Sequence, residues 1–313
     1  MSRCVVTGAA GFVGSHLCEV LLDHRHEVIG VDGFIPYYPR SFKEQNLVDL
    51  RGRKRFQFAE LDLREDELAP VFKGADAIFH LAAMAGLMRS WSDFQWYSSC
   101  NAEGTQRVLD AARDADVGHL LYISTSSVYG REATGDETTL PAPYSPYGIT
   151  KLAGEHLCRA YEANFGLPIT ILRYFSVYGP RQRPDMAYHI MIRALLNGES
   201  FTQYGDGEQT RSNTFCLDGV DATVRAFEQP DRALGEVFNV GGGEIVSLNH
   251  VREMLEDLLG RKIEIDHQPA RPGDQKHTAA NIEKAQRLLG YTPTTRVYEG
   301  LKAQIEWQRG LQG

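Results

Sequence analysis

The chain has 313 residues, enough for two domains of ordinary size. Its composition, 42% hydrophobic and 24% charged, is that of a globular protein and excludes a disordered chain, a collagen-like repeat and a coiled coil. With 33 basic and 41 acidic residues the net charge is −8, which disfavours non-specific binding to nucleic acid or to an anionic membrane. No apolar run approaches the roughly 18 residues of a membrane span, and no signal-peptide segment is visible, so we expect a cytoplasmic protein.

The five cysteines show no metal-binding or redox spacing, so no metal site is expected. They are typical of small buried hydrophobes in a reducing compartment.

In the first half of the chain, short β-branched runs alternate with longer helical patterns, the first of them over residues 12–24. This order predicts a parallel sheet with right-handed crossovers, a Rossmann-type doubly wound α/β fold. The predicted strands are 3–7, 27–32, 56–60, 77–81, 119–123 and 169–175.

After residue 175 prolines and glycines become frequent and the strands become isolated, which indicates a smaller α/β substrate-binding lobe. We predict a Rossmann domain over 1–175, to which 217–245 return, and a lobe formed by 176–216 and 246–313.

A glycine-rich loop joins the first predicted strand to the first helix. Its glycines allow a tight turn, close approach of a pyrophosphate and close packing of helix on strand, while the helix N-terminus offers N–H groups to the phosphates. The predicted cofactor contacts in this loop are Gly8, Ala10, Gly11, Phe12, Val13 and Gly14.

Asp32 ends the second predicted strand, where a carboxylate accepts hydrogen bonds from both ribose hydroxyls and repels a 2′-phosphate. This favours NAD over NADP. Asp62 and Leu63, after the third strand, are candidates for contact with the adenine.

Tyr147 and Lys151 lie four residues apart, on one face of a predicted helix. A nearby ammonium stabilises a phenolate, so the pair predicts a tyrosine general base acting on an alcohol. Tyr298 and Lys302 have the same spacing, but the periodicity of the terminal helix accounts for them. What distinguishes the first pair is the hydroxyl-rich segment 124–127, which ends the fifth strand at the edge where open α/β sheets bind ligands.

The glycine spacing, preceded by a threonine, resembles the short-chain dehydrogenase/reductase superfamily, and the later motifs resemble its extended, nucleotide-sugar branch. Residues 80–83 are similar to that branch's fourth-strand end, and Asn101 with 104–105 to its following helix. The resemblance covers nearly the whole chain. It implies further cofactor contacts at Leu81, Ala82, Ala83 and Asn101.

The resemblance also assigns chemistry to the hydroxyl-rich segment. By position, Thr125 is the hydroxyl that assists Tyr147, with Lys151 completing the catalytic set. Relatives that dehydrate or decarboxylate a nucleotide sugar carry an acid where this chain has Ser127. A 4-epimerase needs no such acid.

Residues 173–186 resemble the segment that leads from the sugar pocket to the nucleotide pocket in uronate epimerases. Ser176 stands where UDP-glucose epimerases and decarboxylases generally have asparagine. With Thr125, Ser126 and Ser127 it could surround a sugar carboxylate with neutral donors.

Three arginines, Arg183, Arg211 and Arg271, are the candidates for the diphosphate and the uracil, and Asp274 for a ribose. The chain departs from the family at 212–213, where aspartate and an aromatic are usual, and at Asn281, where aspartate is usual.

The resemblance thus implies an NAD-dependent isomerase that inverts C4 of a UDP-sugar through a transient 4-keto intermediate, most like the epimerases of UDP-glucuronate. A UDP-glucose 4-epimerase, a UDP-glucuronate decarboxylase and a net dehydrogenase or reductase remain alternatives. A non-catalytic NAD sensor would normally have lost Tyr147 or Lys151.

We also expect a homodimer, formed through helices near 98–115 and 148–165. The second helix carries more apolar residues than one contact face needs. The alternative is that these residues only cover the sheet.

Overall fold

The computed structural model describes residues 1–271 and 275–311. The strands within this part of the chain are β1 (Arg3–Thr7), β2 (Glu27–Val31), β3 (Phe56–Ala59), β4 (Ala77–His80), β5 (His119–Thr125), β6 (Glu132–Ala133), β7 (Ile169–Tyr174), β8 (Val177–Tyr178), β9 (Phe201–Tyr204), β10 (Thr210–Phe215), β11 (Val237–Val240), β12 (Glu244–Ser247), β13 (Ile265–Gln268) and β14 (His277–Thr278).

The α-helices of the same residues are α1 (Phe12–Asp23), α2 (Arg40–Asn46), α3 (Val48–Arg51), α4 (Ala69–Phe72), α5 (Phe94–Ser98), α6 (Gly104–Asp114), α7 (Pro146–Phe165), α8 (Ala187–Asn197), α9 (Cys216–Glu228), α10 (Pro230–Ala233), α11 (Leu248–Leu259), α12 (Glu283–Leu289) and α13 (Val297–Gly310). A π-helical turn, Ser99–Glu103, joins α5 to α6, and a 3₁₀ turn, Ser126–Tyr129, follows β5.

Seven strands form a wholly parallel sheet in the order β11-β7-β5-β4-β1-β2-β3. Helices α1 and α9 pack on one face, and α6 and α7 on the other, each with its own apolar core. Because both faces are covered, the strands are almost continuously apolar instead of alternating. The predicted doubly wound Rossmann-type fold is confirmed.

Five of the six predicted strands match the observed bounds to within one residue, and the sixth is longer than predicted. β5 continues through Ser124 and Thr125, because these residues pair with Arg173 and Tyr174 of β7. The polar side chains of this extension are therefore held on the sheet and not in a loop.

The remaining strands form two smaller sheets outside the large one. Strands β12, β10, β14 and β6 are hydrogen-bonded in that order, with β8 beside β10, while β13 pairs with β9. A third apolar core joins α8, α11 and α13. The segment 236–240 contributes β11 to the edge of the large sheet, and the division into domains at the bounds given above stays a prediction.

No helix among the described residues is long and apolar enough to cross a lipid bilayer.

Candidate active site

A cavity of about 430 Å³ opens at the carboxyl ends of the parallel strands. The strand order reverses between β1 and β4, and ligands of open α/β sheets bind at such a reversal. The loops after β1, β2, β3, β4 and β5 all contribute to the cavity wall, as does the start of α7.

The turn after β1 leaves no room for side chains. Gly8 has φ +74°, and a Cβ there would lie 2.9 Å from the backbone nitrogen of Ala82. A Cβ on Gly14 would overlap the carbonyl of Gly8. Gly11 caps α1 without a side chain, so the first N–H groups of the helix remain available to a ligand in the cavity. This cradle suits the pyrophosphate of a dinucleotide.

The other predicted contacts in this loop do not all line the cavity. Phe12 and Val13 line the cavity with the three glycines, whereas Ala10 is fully buried in the core behind it.

The loop after β4 is held in place by a buried network. Thr7 Oγ1 lies 2.8 Å from His80 Nδ1 and accepts a hydrogen bond from the nitrogen of Ala82. His80 Nε2 lies 3.0 Å from Thr105 Oγ1, and burial, aided by Lys151, lowers the pKa of His80 to about 3. The imidazole is therefore neutral, and its two nitrogens join β1 to α6. The predicted contacts Leu81, Ala82 and Ala83 line the cavity on this loop.

Asn101 supports the backbone behind the cavity and is not among the residues that line it. It is fully buried in the π-helical turn, and its amide exchanges two hydrogen bonds with the backbone of Met84, at 2.7 and 2.9 Å. It also donates to Thr150 Oγ1 at 3.0 Å. Asn101 thus fixes the β4 loop and ties it to α7.

Asp32 lies at the cavity wall, as predicted, and is already engaged. Its Oδ1 accepts from the nitrogen of Phe34 at 2.8 Å and from Lys43 Nζ at 3.1 Å, and both charged side chains are buried. Lys43 was not identified from the sequence. Its charge compensates that of Asp32, and among the described residues no hydrogen bond reaches Oδ2, the oxygen that a ribose could use.

Asp62 and Leu63 also line the cavity. Asp62 forms a two-point ion pair with Arg64, at 3.0 and 2.6 Å, and these hydrogen bonds, opposed by partial burial, lower the pKa of Asp62.

Helix α7 presents the predicted acid–base pair. Ser145 caps its N-terminus by accepting from the nitrogen of Gly148, and Pro146 occupies the first turn. Tyr147 and Lys151 then both face the cavity. The ammonium of Lys151 lies 4.1 Å from the ring centroid of Tyr122, whose hydroxyl donates to the Lys151 carbonyl.

The two titratable groups of the pair are tuned by burial in opposite directions. Burial raises the pKa of Tyr147, and the Thr125 hydroxyl opposes this by hydrogen bonding to the phenol. Burial lowers the pKa of Lys151 to about 8. The predicted catalytic set of Thr125, Tyr147 and Lys151 therefore comes together at one wall of the cavity.

The hydroxyls predicted to surround a carboxylate line the same wall. Thr125 ends β5 and accepts from the nitrogen of Ser127, which starts the 3₁₀ turn. Ser126, Ser127 and Ser176 join it at the cavity surface. Gln275 reaches this turn from the smaller sheets and donates to the carbonyl of Gly130 at 2.6 Å.

The arginines predicted for the nucleotide end differ in placement. Arg183 lines the cavity and forms a two-point ion pair with Asp185, at 2.9 and 3.0 Å, and Tyr37 donates to the same carboxylate at 3.2 Å. Arg211 also lines the cavity.

Arg271 lies outside the cavity wall, where it is exposed and stacks on the ring of Tyr204, 3.1 Å from its centroid. Asp274 lies outside the described residues.

Several cavity residues were not identified from the sequence, namely Tyr37, Tyr38, Lys43, Arg64, Met186 and Gln275. The aromatic pair follows Asp32 closely at the carboxyl end of β2, and that position alone could have indicated it.

Comparisons with known proteins agree with this site. In structure the chain is similar to UDP-glucuronic acid 4-epimerase from Bacillus cereus, crystallised with UDP-glucuronic acid and NAD, with 44% identity, a TM-score of 0.97 and 99% of each chain covered. In sequence it is 44% identical to YtcB of Bacillus subtilis, described as an uncharacterized UDP-glucose epimerase, over 99% of this chain and 98% of that one. It is 34% identical to the UDP-glucuronate 4-epimerase of Thermodesulfobacterium geofontis, over 99% and 97%. Residues 4–241 match the model of the NAD dependent epimerase/dehydratase family, and the chain belongs to that family.

Proposed function

We propose that this chain is an NAD-dependent isomerase that interconverts UDP-glucuronate and UDP-galacturonate by inverting C4. The observation that carries the proposal is a single cavity wall on which Tyr147, Lys151 and Thr125 adjoin the hydroxyls of Ser127 and Ser176, with no acid in the turn. The Bacillus cereus and Thermodesulfobacterium geofontis relatives are both named for this activity.

The residues present suit NAD. The first N–H groups of α1 and the glycine turn would hold the pyrophosphate, and Asp32 would accept from the adenosine ribose. Bound NAD would supply the hydride acceptor for oxidation at C4 and the hydride donor for its reduction.

The protein's own part is proton transfer and orientation. Tyr147 removes the proton of the 4-hydroxyl as C4 is oxidised, and the Lys151 ammonium stabilises the phenolate. The 4-keto sugar then turns in the cavity and presents its other face. Tyr147 returns the proton to the oxygen as C4 is reduced, so protons and electrons balance over the cycle.

The intermediate is a β-keto acid, which loses carbon dioxide when its C5–carboxylate bond aligns with the carbonyl. The bond would break with its electron pair delocalised onto the C4 oxygen, and C5 would take up a proton. The hydroxyls of Ser126, Ser127 and Ser176 can hold the carboxylate out of that alignment, because each can donate to an ionised oxygen.

A UDP-glucose 4-epimerase is the second candidate, favoured by the name of the Bacillus subtilis relative. Decarboxylase activity is disfavoured because such relatives carry an acidic residue at this position. Here the position holds Ser127, which presents a hydroxyl to the cavity.

Steady-state kinetics on the purified protein distinguish the two candidate substrates. We expect kcat/KM to be higher for UDP-glucuronate than for UDP-glucose, with products resolved by chromatography and no net consumption of cofactor. Equal or better turnover of UDP-glucose would support the second candidate, and sustained absorbance change from reduced nicotinamide would indicate a net dehydrogenase.

The substitution Thr125→Val tests the acid–base assignment. It removes the hydrogen bond that lowers the pKa of Tyr147, so that pKa rises further. Because the base must be deprotonated to act, the acid limb of the kcat/KM–pH profile should move to higher pH. Thr170→Val, which removes a buried hydroxyl bonded to His119 and Ala233 outside the cavity wall, should keep the wild-type limb. An unmoved limb in Thr125→Val would contradict the assignment.

The substitution Ser176→Ala tests the hold on the carboxylate, as does Ser127→Ala. A hydrogen bond to an ionised group contributes roughly 1.5–3 kcal/mol, so epimerisation should slow and more decarboxylated sugar should form per turnover. Carbon dioxide release and chromatography measure the two rates. Ser92→Ala, at an exposed serine, is the control, and a product ratio like that of the control would refute the role.

A homodimer is part of the proposal, since α7 leaves Ile149 and Phe165 about half exposed and α5 does the same for Phe94. Burying such apolar surface stabilises association. Light scattering at micromolar concentration should give the dimer mass, and Phe165→Asp should lower the measured mass. A monomeric wild type would contradict the dimer proposal.

The free cysteines of the described residues agree with a reducing compartment, and we propose that the protein is cytoplasmic.

A further inference from the structure

A chain of buried polar side chains starts at Ser124, which lines the cavity, and continues behind the catalytic wall. Arg173 donates to both oxygens of Glu155, at 3.0 and 2.7 Å, and Ser124 donates to one of them at 2.5 Å. Arg173 also donates to the hydroxyl of Tyr129 at 2.8 Å, which in turn donates to Asn239 at 2.8 Å. Each of these residues is at most 5% exposed.

This polar chain ends on the two segments that carry the site. Glu155 lies four residues after Lys151 and eight after Tyr147, so it shares their face of α7, deeper in the protein. Tyr129 is the last residue of the 3₁₀ turn that bears Ser126 and Ser127. Arg173, on β7 between them, holds both at once.

A buried ion pair is a costly way to fill this space. Removing two charges from water costs several kcal/mol for each ion, and apolar residues of similar volume often stabilise a protein more. Directed, bidentate bonds do something that apolar contacts cannot, because they fix how a helix is rotated and how a turn is aimed. The cost is therefore consistent with a role in orientation.

We propose that Ser124, Glu155, Arg173 and Tyr129 are positioning residues that act through two separable arms. The helix arm, from Ser124 to Glu155, orients the proton-transfer pair on α7. The turn arm, from Arg173 to Tyr129, orients the hydroxyls that grip the sugar carboxylate. This inference rests on the proposed function, which supplies the carboxylate.

Each arm can be cut without leaving a buried charge unpaired. Replacing Glu155 or Arg173 would strand its partner and could unfold the protein. Tyr129→Phe removes only the phenol oxygen, and Ser124→Ala only the hydroxyl, so in both variants the ion pair keeps its two direct bonds.

Tyr129→Phe should loosen the grip on the carboxylate selectively. We expect the ratio of the dissociation constants of UDP-glucuronate and UDP-glucose, measured by calorimetry on the NAD-loaded protein, to shift by about 2- to 10-fold against UDP-glucuronate, as for one hydrogen bond. Carbon dioxide released per epimerisation should rise with it. UDP-glucose, which carries a hydroxymethyl group in place of the carboxylate, controls for nucleotide binding.

Ser124→Ala should give the opposite pattern. The turnover number with UDP-glucuronate should fall by a similar factor, because α7 is less well oriented. The ratio of dissociation constants and the carbon dioxide per turnover should stay near those of wild type.

Tyr291→Phe is the matched control, because it removes a fully buried phenol whose hydroxyl donates to the Gly241 carbonyl, outside the cavity wall. It should lower the melting temperature with neither pattern. If Tyr129→Phe and Ser124→Ala behave like this control, or both change the same quantity, the two-arm inference is wrong. If the wild type does not epimerise UDP-glucuronate, the proposed function itself has failed.

Discussion

The close approach of two backbone segments at the end of β1 is the constraint on which the site depends. Gly8 allows the turn after β1 to lie against the backbone of Ala82, and Gly14 allows the first turn of α1 to lie against the Gly8 carbonyl. Neither contact leaves space for a side chain. The helix N-terminus therefore opens directly into the cavity, and the loop after β4 lines the cavity beside it. Thr7 and His80 support this contact from inside the protein. The neutral imidazole of His80 bonds a hydroxyl at each nitrogen and brings no charge into the core.

Several polar side chains buried around the cavity hold backbone segments in position through hydrogen bonds. Asn101 bonds both backbone polar groups of Met84, as a neighbouring strand would, and so pairs them at a point where the β4 loop follows the cavity wall. The π-helical turn that contains it is the local deformation that brings the amide to this place. A resemblance between sequences identifies such a position as important, but the direction of the side chain follows only from the folded backbone.

The parts of the molecule that local rules govern could be predicted. The strand bounds follow from β-branched runs, and the shared face of Tyr147 and Lys151 follows from helical spacing. Contacts made by loops could not be predicted in the same way: the pairing of Lys43 with Asp32, 11 residues earlier, depends on how the chain turns after β2. Arg271, a candidate for the diphosphate or the uracil, illustrates the same limit, because its stacking on the ring of Tyr204 depends on how distant segments fold together.

Charge compensation gives the cavity a character suited to a substrate that must turn. Asp32 is paired with Lys43, and Arg183 is paired with Asp185. The charge of each of these groups is therefore compensated before a ligand binds. An uncompensated guanidinium would bind a carboxylate by two parallel bonds of fixed geometry and would hold the sugar in one orientation. Hydroxyls such as those of Ser127 and Ser176 can exchange one acceptor for another as the ring rotates, because each hydroxyl hydrogen turns about its own bond. Neutral hydroxyl donors can therefore restrain the carboxylate in both orientations of the sugar, whereas a charged group of fixed geometry could do so in only one.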